Sequence, residues 1–228
     1  MDISRQNYQN LIIETQIFPS IPVIAILLNT SEVIIESREH YQKRSFRNRY
    51  HIGSHQGMME LSVPLKKAKN NHQLITEVLI SYDLDWPGQH WKAIQTSYGR
   101  AAYFLYYKDQ VRELLFNNAV NLFDLNQASL KFIQDVLQFD LNLNCSIVYN
   151  KICDEKYLDL RSAFHLEFSR MYSGLPYYQV YSAQTDFIPG LSFLDLLFHK
   201  GPESFTFLQN EYNNICRHEF IAGLLKQK

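Results

Sequence analysis

The sequence predicts an α/β protein: a mixed sheet with a parallel N-terminal βαβ unit and a substantial helical segment. Three observations predict it. Two short β-branched runs, Leu11-Ile12-Ile13-Glu14 and Val33-Ile34-Ile35-Glu36, bracket an apolar stretch that starts near Ile21; strand, helix and strand in so short a span pair in parallel. From Asp85 onward the apolar residues recur at helical spacing instead. Strand-like segments then return at Ser146–Tyr149, Tyr157–Leu160 and Tyr178–Tyr181.

Each element has a local reason. Phe18-Pro19-Ser20-Ile21-Pro22 turns the chain, and Pro22 suits the first turn of a helix running to about Asn29. Tyr50–Ile52 and Met59–Leu65 flank Gly53-Ser54-His55-Gln56-Gly57, a hairpin with a polar tip. Leu61, Val63 and Leu65 alternate with Ser62 and Pro64, one face of the arm being buried, and Pro64 places that arm at a sheet edge. Lys66–Asn71 reads as a basic loop and Thr76–Ser81 as another strand.

Asp85 is placed to cap a helix with Pro87 in its first turn and Trp91, Ile94 and Tyr98 along it, ending at Gly99. Tyr103, Tyr107, Val111 and Leu114 continue at helical spacing, and Asn126 is the expected cap of a third helix bearing Leu130, Ile133 and Leu137. These helices are expected to pack as a unit over the sheet. Ser192 with Asp195 resembles a capping box, ahead of Leu194, Leu197 and Phe198; Gly201-Pro202 ends that helix and starts another. There is no repeat or long linker, so a single domain over 1–228 is expected, with an α/β part at 10–84, helices at 85–138 and completing elements at 139–228.

Hydrophobic content of 46% and aromatic content of 14% belong to a folded chain. The start lacks the charged and apolar regions of a signal peptide, and the longest apolar stretch, around Ile21–Leu28, is too short to span a bilayer. Cys145, Cys153 and Cys216 follow no metal-ligand spacing, consistent with free thiols in a reducing cytoplasm. A cytoplasmic protein without membrane insertion is expected. The sequence identifies no cofactor and leaves the oligomeric state open.

Charge is the strongest functional signal. Five cations fall between Arg38 and Arg49, interleaved with Tyr41, Phe46 and Tyr50. Residues 36–70 carry a net +5 in a chain whose net charge is −1. A basic patch on an otherwise acidic protein faces an anion, while the acidic remainder argues against a general nucleic-acid binder. The block also follows directly on the second strand, at the edge where open α/β sheets bind ligands. Lys43, Arg44, Arg47 and Arg49 are therefore candidate phosphate ligands, with Tyr41 and Asn48 as neutral hydrogen-bonding partners. A helix over 41–47 would group Lys43, Arg44 and Arg47; an extended chain would group Lys43, Ser45, Arg47 and Arg49. The competing reading is a surface basic face with one or two arginines paired to Glu36 or Glu39, a weak contribution of about 0–1 kcal/mol.

His90, between Trp86 and Trp91, is the candidate general base because imidazole titrates near neutrality; a packing histidine on a helix is the plainer alternative. Asp186 is a candidate contact to a sugar hydroxyl, and Asp159 with Arg161 a structural pair. No metal site, Ser-His-Asp arrangement, phosphate-cradling glycine loop or dinucleotide fingerprint is present.

The stretch His40-Tyr41-Gln42-Lys43-Arg44-Ser45-Phe46-Arg47-Asn48-Arg49 resembles the (H/F)xKRSxRNR motif of the bacterial WbqC-like proteins. Leu61-Ser62-Val63-Pro64, the stretch Trp86 to His90, and Phe187 to Ser192 running on to Gly201-Pro202-Glu203 agree in order, so the resemblance spans roughly 10–210. It implies a place in bacterial surface-polysaccharide (O-antigen-like) gene clusters. It also implies a transferase-type enzyme acting on a nucleotide-linked amino sugar by acyl or aminoacyl transfer. The alternatives are a non-catalytic accessory protein of a glycan-synthesis complex and an RNA-binding protein. The opening strand, Phe-Pro turn and helix also resemble nucleotidyltransferase-type domains, but Thr15–Val23 holds none of the histidines that such chemistry uses.

Overall fold

Two strands and the helix between them organise the molecule. The computed structural model describes residues 10–66, 73–154, 156–164 and 172–217. β1 (Asn10–Glu14) and β2 (Glu32–Glu36) pair in parallel, Leu11 opposite Val33 and Glu14 opposite Glu36. α1 (Ile21–Leu27) crosses between them with every residue buried and Pro22 in its first turn. It stops where Asn29 and Thr30 turn their side chains back onto the carbonyls of Ala25 and Ile26, both at 2.9 Å, competing with the helical ladder.

β3 (Arg49–Ser54) and β4 (Gly57–Ser62) form the expected hairpin, joined by His55-Gln56, with Gly57 at φ +101° where a side chain would be strained. A short 3-10 turn, Ile75–Glu77, precedes α2 (Trp86–Tyr98), α3 (Phe104–Leu115) and α4 (Leu122–Leu137). The Asp85 carboxylate accepts from the Gly88 N–H at 2.9 Å and caps α2. β5 (Leu143–Cys145) adds to β2 and β6 (Leu158–Asp159) to β1, both parallel, giving the order β5-β2-β1-β6. The last described elements are α5 (Ser182–Thr185), α6 (Phe193–Lys200) and α7 (Ser204–Arg217). The fold class is therefore α/β, with a parallel βαβ start.

Several elements differ from expectation. Thr76–Ser81 is not a strand: after the 3-10 turn, Val78, Leu79 and Ile80 are extended but bond singly to Leu122, Lys66 and Val120, so no ladder forms. Asn126 does not cap α4. Asn121 does, accepting from the Asp124 N–H at 2.8 Å, while Asn126 is buried one turn on and donates to the Arg47 carbonyl. β5 lies just before Ser146–Tyr149, and no strand covers Tyr178–Tyr181. No capping box forms: the Asp195 N–H goes to the Ser192 carbonyl and not to its hydroxyl, the Ser192 N–H goes to the His51 carbonyl, and the Asp195 carboxylate is engaged by Tyr177 and Gln179. The loop expected at Lys66–Asn71 lies, beyond Lys66, outside the described residues. The helices do not cover the sheet as one unit: α4 reaches it through Leu130, beside Ile13 and Ile35, whereas α2 packs on β3 and α3 on α6.

The two faces of the parallel sheet are treated differently. Leu11, Ile13, Val33 and Ile35 face α1 and α4 and are at most 3% exposed. Ile12 and Ile34 point to the other face, which opens into a pocket walled by the chain after β5. Parallel sheets are ordinarily covered on both faces.

Candidate functional site

The strand order places a topological switch at the carboxyl ends of β1 and β6, since the chain builds outward from β1 through β2 and β5 before returning to β1's other side. Ligands bind at such crevices in open α/β sheets. Here the edge carries charge that the strands alone would disfavour. Glu14 and Glu36 are register partners, 2% and 0% exposed, and like charges on adjacent strands repel.

Polar groups from distant segments compensate. Glu14 accepts from Gln16 Nε2 at 2.8 Å and from the Ser162 N–H at 2.7 Å. Glu36 accepts from Ser146 Oγ, from the Arg38 N–H at 2.9 Å and from Arg161 Nη1 at 3.0 Å. Arg161 also forks onto Asp159, at 3.0 and 2.6 Å, which holds its guanidinium above its usual value. The expected Asp159–Arg161 pair is present, with Glu36 as a third member.

The basic block lies over this edge and is neither helix nor strand from Tyr41 to Asn48. Its residues divide. Arg47 is 1% exposed and forks inward onto Glu39 at 2.7 and 2.5 Å. Burial lifts the Glu39 carboxyl above its usual value against the pull of Arg47; burial also works against the Arg47 charge, but Glu39 prevails and holds it high. Asn48 faces inward too, accepting from the Tyr41 hydroxyl and donating to the Val63 carbonyl, both at 2.9 Å. Arg49 crosses the hairpin to Glu60 at 2.5 Å. Lys43 and Arg44 alone of the six candidate ligands in the block are exposed. Arg44 holds a left-handed backbone, φ +57°, a strained state for a non-glycine residue that local contacts must enforce. Ser45 Oγ bonds the Gln42 carbonyl at 2.8 Å, and Ser162 Oγ bonds Gln42 Oε1 at 3.1 Å, so the tip is tied to the switch point.

His90 and Asp186 lie elsewhere. His90 is 4% exposed, with its ring against Trp86 and Tyr50 at centroid distances of 5.0 and 5.5 Å. The Tyr50 hydroxyl and His90 Nδ1 share a hydrogen bond at 3.0 Å, burial raises the Tyr50 phenol well above its usual value, and the His90 ring also bonds to the Ser62 main chain. Burial lowers His90 from 6.5 to about 4. The geometry makes it a core histidine joining α2 to the hairpin. A depressed pKa contributes stability above the unfolded value of 6.5, lost as pH falls toward the folded one. Stability should drop by about 1.5 kcal/mol between about pH 6.5 and 5, and His90→Gln should flatten that slope in urea titrations; an unchanged slope would show that another group is responsible. Asp186 is exposed at φ +57° after α5. Among the described residues no hydrogen bond or ion pair joins it to the basic block; its surroundings pack on α2 and α6 through Tyr181 and Gln179.

Glu14, Glu36 and Arg161 were not sequence-level ligand candidates, yet a signal existed: both opening strands end in Ile-Ile-Glu. Two parallel strands closing on the same acid put adjacent carboxylates at the carboxyl edge of the sheet.

A family model described as the WbqC-like protein family matches residues 15–164, more than half of the chain. The chain belongs to the WbqC-like protein family. The match runs from just after β1 through β6 and takes in the whole basic block, while the Phe187–Glu203 segments of the sequence resemblance lie beyond it. This WbqC-like chain is also similar to Rv1507c, an uncharacterized protein of Mycobacterium tuberculosis. The two are 27% identical over 223 residues, covering 87% of this chain and 96% of the relative. No solved structure matches. No helix among the described residues is long and apolar enough to cross a membrane, and none of those residues form a metal-binding group of His, Cys, Asp and Glu.

Proposed function

We propose that this WbqC-like chain is a cytoplasmic transferase-type enzyme of bacterial surface-glycan precursor synthesis, acting on a nucleotide-linked amino sugar. One observation carries the reading: exposed Lys43 and Arg44 are held over the switch point of a parallel sheet by the Gln42–Ser162 bond. Two cations there suit the pyrophosphate of a sugar nucleotide. The buried carboxylates and Arg161 beneath give that tip a rigid footing, and rigid placement is where a transferase without a covalent nucleophile gains rate. In the transfer, the sugar's amine nitrogen bonds to the carbonyl carbon of an activated acyl or aminoacyl ester. The donor's leaving group departs with the electron pair of the broken bond, and the amine proton goes to solvent. His90, buried and neutral, supports the hairpin in this reading and takes no proton.

Thermal-shift screening against UDP-, dTDP-, GDP- and CMP-linked sugars tests the proposal. Ligand at a hundred times Kd adds about 2.7 kcal/mol, worth roughly 5–10 °C for a chain of this size. One nucleotide class should give that rise, and Lys43→Ala with Arg44→Ala should weaken affinity at least about tenfold, the loss of about 1.4 kcal/mol. No rise with any class would overturn the reading. Binding without turnover on any activated acyl donor would leave an accessory binding protein in its place.

A further inference from the structure

The Ile12–Ile34 face of the parallel sheet carries a feature that the phosphate-binding tip does not use. Between that face and the chain after β5 lies an open pocket of about 550 Å³, within the range of small-ligand sites, about 300–1,000 Å³. Ile12 and Ile34 form its apolar floor; Asn144, Ser146, Tyr157 and Arg161 supply polar groups around it. It is linked to the basic tip through two neighbouring residues. Arg161 lines the pocket, and its neighbour Ser162 bonds Gln42, next to Lys43.

We infer that this pocket receives the glycosyl ring of the ligand whose phosphates Lys43 and Arg44 hold. The inference rests on the function proposed above and adds where the sugar sits. Amides and hydroxyls around a small aliphatic floor match a sugar, whose hydroxyls need partners while its C–H face seeks apolar contact. A nucleobase would instead call for stacking aromatics, and Tyr157 is the sole aromatic lining residue among those described. The Arg161 guanidinium is engaged by Glu36 and Asp159, and the other charged lining residues, Lys156 and Asp154, pair with each other, so the pocket suits a neutral ring and leaves the anion to the tip.

Cys153 provides a reporter, since it also lines the pocket, while Cys216 lies on α7. Burial, then Asp159, raise the Cys153 thiol, so iodoacetamide labelling is best run at mildly alkaline pH and read by peptide mass spectrometry. The sugar nucleotide that stabilises the protein should slow labelling of Cys153 at least about fivefold and leave Cys216 unchanged. The matching nucleoside diphosphate should slow neither. Ile34→Trp should fill the pocket, removing the protection and the affinity advantage of the sugar nucleotide while diphosphate binding persists. Unprotected Cys153 under saturating sugar nucleotide, with Ile34→Trp binding as the wild type does, would overturn the pocket assignment and leave the tip standing. A wild-type protein that binds no sugar nucleotide would overturn both.

Discussion

Arg47→Ala should destabilise the fold by about 3–5 kcal/mol, the cost of leaving one partner of a buried ion pair uncompensated. Arg47 and Glu39 are 1% and 4% exposed and share a two-point contact. Burial already raises the Glu39 carboxyl, and Glu14 and Glu36 add to that repulsion. Without the guanidinium, Glu39 would either take a proton or remain a bare buried charge. At roughly 2–4 °C per kcal/mol, the melting temperature should fall by at least about 6 °C. Arg47→Met combined with Glu39→Leu should recover most of the loss, because replacing both members with apolar groups removes the desolvation cost along with the attraction. If the single substitution costs no more than an exposed pair does, about 1 kcal/mol, the inward orientation of Arg47 is wrong. The comparison also separates two roles within the basic block: Arg47→Ala acts on melting, Lys43→Ala with Arg44→Ala on ligand affinity.

Arg161→Ala should be the second most damaging substitution, by about 3 kcal/mol. Its side chain, 8% exposed, bridges Glu36 at 0% and Asp159 at 35%. Ser146 and the Arg38 amide would still bond Glu36, and the Arg47 charge would still act on Glu14, but Glu36 would lose the cation that contacts it directly. Arg161→Lys should restore part of the loss, since one ammonium cannot span both carboxylates as the planar fork does. Asp159→Asn should cost about 1 kcal/mol or less, its carboxylate being partly solvated. Chemical denaturation of the three variants orders them, and equal losses for Arg161→Ala and Asp159→Asn would show that Glu36 draws nothing from Arg161.

The sequence made the βαβ start and the hairpin legible because each is specified locally. β-Branched runs favour strands, Pro22 opens α1, and glycines flank the turn. Legibility failed where partners are far apart in sequence. Val78 and Ile80 alternate with exposed Leu79 as in a strand, but strandness needs a ladder, and each backbone group here finds a different partner. Asn121 and Asn126 both precede helical runs; Asp124, three residues after Asn121, marks the true first turn. In the basic block, composition located the cations without their directions. Arg47 sits between buried Phe46 and Asn48 and cannot reach solvent, whereas Lys43 and Arg44 occupy the exposed tip. The histidine between two tryptophans was a candidate by residue type, and its burial against Trp86 and Tyr50 was not legible from that type.

The paired glutamates also set a timetable. Arg161 lies 125 residues beyond Glu36, and Ser162 lies 148 beyond Glu14. Helix α1 and both opening strands leave the ribosome early, yet at that stage the strands bring two carboxylates side by side without their cation. Loop-closure entropy for so distant a contact must be met before the attraction is gained. The N-terminal unit is thus incomplete during most of synthesis, however strongly its β-branched residues favour pairing. Its last charge, Arg161, arrives just after β6, when most of the chain has been made.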